Sequence, residues 1–450
     1  MESVEFPGDF TWGVATASYQ IEGAVRVDGR GESIWDRFSH TPGTILDAGT
    51  GDVACDHYHR WREDIVAMQT LNLNAYRFSV AWPRVLPEGV GAVNGAGLDF
   101  YERLVDGLLE AGITPFVTLF HWDFPQALQD RGGFAVRDSA EWFAEYTERV
   151  VSRLGDRVKH WITLNEPFVF YALGYFIGEH APGERNFRRA VKVAHNLLRA
   201  HGRAVQVVRG LDPTATVGIT NALSPVHPAR PGRDDRAQRR AEGFTQRLFM
   251  DPIFKGEYPA AVGRLLRTVN RDIRPDDFTL IAQPIDFVGV NNYSRMIVER
   301  TLNPVPGFRP VDPTYPEARF TDMGWEIYPE GLYEVLTWIR DEYRNVPVYI
   351  TENGAAFPDE LREVAGRATV DDPERIRFLR EYLQAVARAL GEGCDVRGYF
   401  VWTLMDNFEW AFGYTKRFGL YYTDYPTQRR ILKSSGAWYA DLARTGSFTR

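Results

Sequence analysis

The stretch His160-Trp161-Ile162-Thr163-Leu164-Asn165-Glu166-Pro167 reads as a short buried strand stopped by proline, with an amide and a carboxylate at its end. Ile350-Thr351-Glu352-Asn353-Gly354 repeats the arrangement: an apolar, β-branched run, a lone carboxylate, then a chain-breaking residue. Such an ending holds the last side chain at a sheet edge, where ligands arrive. Similar runs occur at Phe10–Ala17, Asn74–Trp82, Ile113–His121, Thr216–Asn221, Ile285–Tyr293 and Val396–Leu404. With His160–Asn165 and Val346–Glu352 they make eight.

Helical spacing fills most of the intervals. Leu98–Leu109 keeps apolar residues three and four apart. Asp372-Pro373-Glu374 opens a second helix with an acid at the N-cap and proline at the first helical position. That helix continues through Ile376, Leu379, Leu383 and Val386 on one face, and Arg203–Val208 lies in a third. Strands that alternate with helices pair in parallel, and eight such units close a (β/α)₈ barrel. The runs are nearly all apolar, as parallel strands covered on both faces should be. An open doubly wound sheet would want a glycine-rich phosphate loop after an early strand, and none is present. The expectation is an α/β protein, one (β/α)₈ domain over residues 1–450. The Pro- and Gly-rich insertions Thr41–Asp52, Asn303–Pro316 and Ala355–Thr369 would form the rim of its C-terminal face.

Polar residues gather at the ends of these runs. Gln20 follows the first, Arg77 and Ser79 lie in the second, and His121 ends the third. Asn165 and Glu166 end the fourth, Asn291 and Tyr293 close the sixth, Glu352 ends the seventh, and Trp402 lies late in the eighth. A barrel collects all of these around one opening, where barrel active sites sit.

Composition narrows the partners. A net charge of −8 argues against nucleic acid and anionic membrane surfaces. The 12 Trp, 21 Tyr and 28 Phe suit either a large core or stacking against sugar faces. Cys55 and Cys394 stand outside any CxxC pair, so they are read as reduced and buried. The N-terminus lacks the basic start and apolar stretch of a signal peptide, and no run is long enough to span a membrane. The expected setting is soluble and cytoplasmic.

Four motifs, Phe10–Gly23, Thr163–Pro167, Ile350–Gly354 and Asp406-Asn407-Phe408-Glu409-Trp410, together resemble the family 1 glycoside hydrolases, the β-glucosidase family. The resemblance runs from Phe6 to about Tyr439. It implies a (β/α)₈ fold and a retaining mechanism that needs neither cofactor nor metal. It makes Glu166 the general acid/base and Glu352 the nucleophile, and such paired carboxyls are what a retaining glycosidase requires. Arg77 and Tyr293 are similar to the partners that keep the nucleophile ionised, and Asn165 to the donor for the sugar 2-hydroxyl. Gln20, His121, Glu409 and Trp410 match residues that hold sugar hydroxyls, Trp402 matches the ring beneath the sugar, and Asn291 joins the substrate-binding set. Trp325 resembles an aglycone platform, equally readable as a loop anchor, with Phe168 and Leu173 lining the same approach.

The implied substrates are small-molecule β-glycosides: cello-oligosaccharides and aryl or alkyl β-glucosides, with β-galactosides and β-fucosides as further candidates. Glu409 would repel a sugar 6-phosphate, and an intact Glu166 separates the chain from myrosinase-like relatives. A transglycosylating enzyme and a catalytically silent sugar-binding protein share the scaffold and stand as alternatives. The His57-x-His59 pair beside Asp56 has no third ligand motif and is read as structural. His195, His201, Arg188, Arg189 and Arg199 are read as the solvated face of a helix, and Arg230–Arg240 as an exposed loop entering one.

Overall fold

The computed structural model describes residues 3–364 and 366–449, and its central feature is a closed barrel of eight parallel strands. These are β1 (Thr11–Ala15), β2 (Ala75–Ser79), β3 (Thr114–Phe120), β4 (His160–Asn165), β5 (Thr216–Ala222), β6 (Phe287–Asn291), β7 (Val348–Asn353) and β8 (Val396–Trp402). Neighbours in sequence are neighbours in space, and β8 closes the ring on β1 with Gly398 opposite Thr11 and Trp402 opposite Ala15. Each apolar run of the sequence matches one barrel strand: six contain theirs, while Thr216–Ala222 and Val348–Asn353 extend one residue past the run.

The barrel interior is filled with side chains in layers. Near the strand starts, Phe116 stacks on His160 at 4.2 Å and meets Tyr349 and Phe400 edge-on at 5.1 and 5.0 Å. Above this apolar plug comes a polar layer of Arg77, Thr118, Thr220 and Thr351, all fully buried. Gly289 makes room for it: a Cβ there would stand 2.1 Å from Thr220 Oγ1 and 2.8 Å from Thr351 Oγ1.

The principal return helices are α1 (His57–Thr70), α2 (Gly95–Glu110), α3 (Ser139–Leu154), α4 (Phe187–Leu211), α5 (Glu330–Glu342), α6 (Pro373–Gly391) and α7 (Ser434–Thr445). In α2 the spaced residues Leu98, Tyr101, Leu104, Val105 and Leu108 are buried, as their periodicity predicts. In α6 the buried stripe is Leu379, Leu383 and Val386, with Ile376 half-buried at its edge.

Two local expectations are corrected. Asp372 occupies the N-cap of α6, yet its carboxylate does not cap that helix. It pairs with Arg375 and accepts from the Ser435 N–H at 2.7 Å, capping α7 instead. The basic face of α4 is solvated only at its start, where Arg188 is exposed and Arg189 half-buried. His195, His201 and Arg199 are buried, because a 25-residue helix wedged against its neighbours has little free surface at its middle. His201 meets Thr163 of β4 at 2.7 Å, and His195 lies between the Tyr258 hydroxyl and Asp277 at 2.6 and 2.9 Å.

The long insertions acquire structure of their own. Loop 41–52 docks on the segment after β8 through Leu46 N–H to Ala411 O at 2.8 Å and Tyr414 N–H to Asp47 at 2.8 Å. Phe308–Pro310 adds an edge to a small sheet with Met296–Arg300 and Val226–Pro228, and Leu361–Val364 pairs with Arg367–Val370 as a hairpin. Cys55 and Cys394 are free and buried. No helix among the described residues is long and apolar enough to cross a membrane.

Candidate active site

Glu166 follows β4 in a left-handed conformation with φ at +45°, and its N–H donates to Thr220 O on β5 at 2.8 Å. A non-glycine residue held there costs on the order of 1–3 kcal/mol, strain that clusters at working sites. Pro167 then starts the helix Pro167–Tyr171 and fixes the exit direction. Glu352 is the second-last residue of β7. Beyond it the chain must pass against β8, and Gly354 alone allows this: a Cβ there would stand 1.9 Å from Trp402 O.

One chain of hydrogen bonds joins the two carboxyls. Arg77 Nη1 donates to Glu352 Oε1 and Nη2 to Asn165 Oδ1, each at 2.6 Å. Asn291 Nδ2 donates to Asn165 Oδ1 at 3.1 Å and to Glu166 Oε1 at 2.7 Å. Tyr293 OH donates to Glu352 Oε2 at 2.7 Å. Below, Thr118 and Thr351 hold the donors themselves: Arg77 Nε reaches Thr118 Oγ1 at 3.1 Å, and Thr351 Oγ1 reaches Asn291 Oδ1 at 2.7 Å.

The two carboxyls therefore differ in kind. Burial and the nearby charge of Glu352 push Glu166 up to about 8, against weaker opposition from Asn291 and Arg77. Burial raises Glu352 as well, but the Arg77 guanidinium, the Tyr293 hydroxyl and the Asn291 amide all work against it. A pair this close titrates together, and the proton stays on the member with fewer donors, Glu166. Tyr293 is itself held far above the ordinary phenol range by burial and both carboxylates, so it stays a donor.

Around this pair lie the remaining sequence-predicted residues. Asn165 Oδ1 already accepts two donors, so its amide nitrogen faces His121 Nε2 at 2.9 Å. That makes Nδ1 the protonated nitrogen of His121, a ring kept neutral by burial and by Arg77. Gln20 Nε2 donates to Asn407 Oδ1 and Phe408 O at 3.1 and 2.8 Å. His121 Nδ1 and Gln20 Oε1 are buried with no protein partner, an arrangement native interiors avoid unless a ligand supplies one. Glu409 is pushed up to about 8 by burial and Glu352, against the Gln20 amide. Trp402 and Trp410 stack beside His121 at 5.8 and 5.9 Å. Trp325 is half-buried and leans on Tyr293 at 5.2 Å, while Phe168 and Leu173 are half-buried after Glu166.

Trp122 escapes a reading that stops at the strand-end histidine. Its indole donates to Asn165 O at 3.0 Å and packs on Trp410 at 4.7 Å, so it braces both the amide and the aromatic wall. The clue lay in the next residue: a φ of +76° swings Trp122 back over the barrel mouth, which no strand pattern announces. His57 lies away from any such cluster, buried against Asp64 at 2.7 Å. No group of three or more His, Cys, Asp or Glu among the described residues is arranged to hold a metal ion.

A barrel mouth with a proton-bearing carboxyl beside a donor-stabilised carboxylate, orphaned polar groups and aromatic walls is equipped to bind a sugar and exchange a group at its anomeric carbon. The family model "Glycosyl hydrolase family 1" matches residues 2–448. Beta-glucosidase A of Acetivibrio thermocellus is 46% identical over 100% of both chains. The 1,4-beta-D-glucan glucohydrolase of Thermotoga neapolitana is 49% identical over 99% of each. The solved beta-glucosidase from Thermotoga maritima in complex with deoxynojirimycin superposes with a TM-score of 0.94 at 49% identity, covering 99% of this chain and 100% of that one. The chain belongs to glycosyl hydrolase family 1. It is a glycoside hydrolase whose relatives are β-glucosidases, built on a TIM barrel.

Proposed function

We propose that the chain, as one catalytic domain, removes terminal β-D-glucosyl residues from cello-oligosaccharides and from aryl or alkyl β-glucosides by double displacement. Glu352 attacks the anomeric carbon while Glu166 protonates the leaving oxygen. The bond to the aglycone breaks, a glycosyl-Glu352 ester forms, and the charge of Glu352 disappears. The repulsion that raised Glu166 goes with it, so Glu166 can now take a proton from water as water cleaves the ester. Asn165 donates to the sugar 2-hydroxyl, and Gln20, His121, Glu409 and Trp410 bind the remaining hydroxyls above the Trp402 ring. Trp325 lines the aglycone side. Carrying this reading is the unequal donor supply to the two carboxyls, which separates acid from nucleophile.

The reading is supported by a relative named as a glucan glucohydrolase and by another solved with deoxynojirimycin. Proton NMR of 4-nitrophenyl β-D-glucoside hydrolysis tests it: β-glucose should appear first and mutarotate later. Glu352→Gly should abolish hydrolysis, and added azide should then yield the α-glucosyl azide by single displacement. First release of α-glucose by the unaltered enzyme would refute double displacement.

A further inference from the structure

Lys433 stands immediately before α7, away from the barrel mouth in sequence, and its ammonium is fully buried. Lysine takes such a place only when paired. It donates to Asp406 Oδ1 at 2.7 Å and also pairs with Asp359. Asp406 accepts further from Arg417 Nη1 at 2.7 Å and the Gly419 N–H at 2.9 Å. Arg375 meets Asp359 at 3.1 Å and pairs with Asp372. Three cations and three carboxylates balance one another in a region largely closed to solvent.

The acidic ends of this network belong to the mouth. Asp359 lies on the loop that leaves β7 after Glu352, and Asp406 opens the segment 406–410 that leaves β8. From Asp406 the chain runs to Asn407 and Phe408, whose oxygens accept from Gln20, and then to Glu409 and Trp410. We propose that Lys433 is a positioning residue for the sugar-binding reaction: by gripping Asp406 and Asp359 it holds segment 406–410 so that Glu409 and Gln20 meet the sugar hydroxyls, without touching substrate itself. This rests on the reading of Glu409 as a sugar-binding residue.

A double-mutant cycle on the full-length enzyme separates positioning from mere folding. Kinetics with 4-nitrophenyl β-D-glucoside compare the unaltered enzyme, E409Q, the charge-balanced pair K433M/D359N, and all three changes combined, alongside D406N as a second way of cutting the grip. The pair is expected to lower kcat/KM about 30-fold in the parent yet under about threefold once Glu409 is already replaced, and D406N to show the same non-additivity. Losses that simply multiply would overturn the proposal, as would failure of both sets to fold, since the network would then serve folding alone. An impaired E409Q with multiplying losses refutes Lys433 as a positioning residue and leaves the sugar-binding reading intact. An E409Q with parental kcat/KM refutes both.

Discussion

At the scale of single residues, the site depends on keeping two like groups unlike. Glu166 has one neutral amide as its close donor, whereas Glu352 has a guanidinium and a phenol. As the proposed acid, Glu166 must be protonated to work, and burial beside Glu352 pushes it up to about 8, so kcat/KM should be sustained below that value and fall as pH rises through it. Glu166→Ala should remove this alkaline limb. It should also cost about 10²–10⁴-fold on cellobiose and far less on a dinitrophenyl glucoside, whose leaving group needs no proton. Equal losses on both substrates would count against Glu166 as the acid. Tyr293→Phe deletes a charge-assisted bond to Glu352 and should lower kcat/KM about 10- to 100-fold. The same change removes an influence that lowers the Glu352 pKa, so the acidic limb should move to higher pH. A pH profile that keeps its acidic limb in place would detach Tyr293 from the proposed nucleophile.

At the scale of elements, what could be read from the sequence was whatever a strand or helix period encodes. The eight barrel strands announced themselves because parallel strands buried on both faces leave near-continuous apolar runs, and their polar ends marked the mouth. What escaped depends on distant partners or on single dihedrals. Asp372 looked like the cap of its own helix, but the free N–H groups of α7 outbid those of α6 for its carboxylate. His195 and Arg199 of α4 looked solvated because their counter-charge lies far along the chain. Asp277 meets Arg137 at 2.6 Å, His195 at 2.9 Å and Arg199 at 3.0 Å, and it caps the helix Pro275–Ile281. These partners hold its carboxyl well below the usual range despite burial, so this contribution to stability is present above the ordinary carboxylate pKa and is lost as pH falls through the depressed value. Asp277→Ala strands two guanidinium groups and should destabilise by about 3–5 kcal/mol, with kcat/KM unchanged at temperatures where the variant is folded. Thermal melts together with glucoside kinetics check this, and an intact melting temperature would reduce the cluster to surface decoration.

At the scale of the whole molecule, function and stability oppose each other at the barrel mouth. Glu166, Glu352 and Glu409 are buried together at the mouth, where the charge of Glu352 raises both neighbours and Arg77 opposes the rise at Glu166 and Glu352, an arrangement selected by chemistry rather than by folding. The sign of the effect follows from proton linkage. The folded chain keeps the Glu166 proton up to about pH 8, while an unfolded glutamate releases it near 4.5. Between those values the folded state binds more protons than the unfolded one, so this group's contribution to stability declines as pH rises through the window. Glu166→Gln keeps the shape and removes the ionisation. It should raise the melting temperature only slightly at pH 5 and by about 1–3 °C more at pH 8, and suppress hydrolysis of cellobiose at both. Differential scanning calorimetry at the two pH values decides the matter. A gain of equal size at pH 5 and pH 8 would mean that the substitution acts through packing, and that the charge of the acid is not what the fold resists.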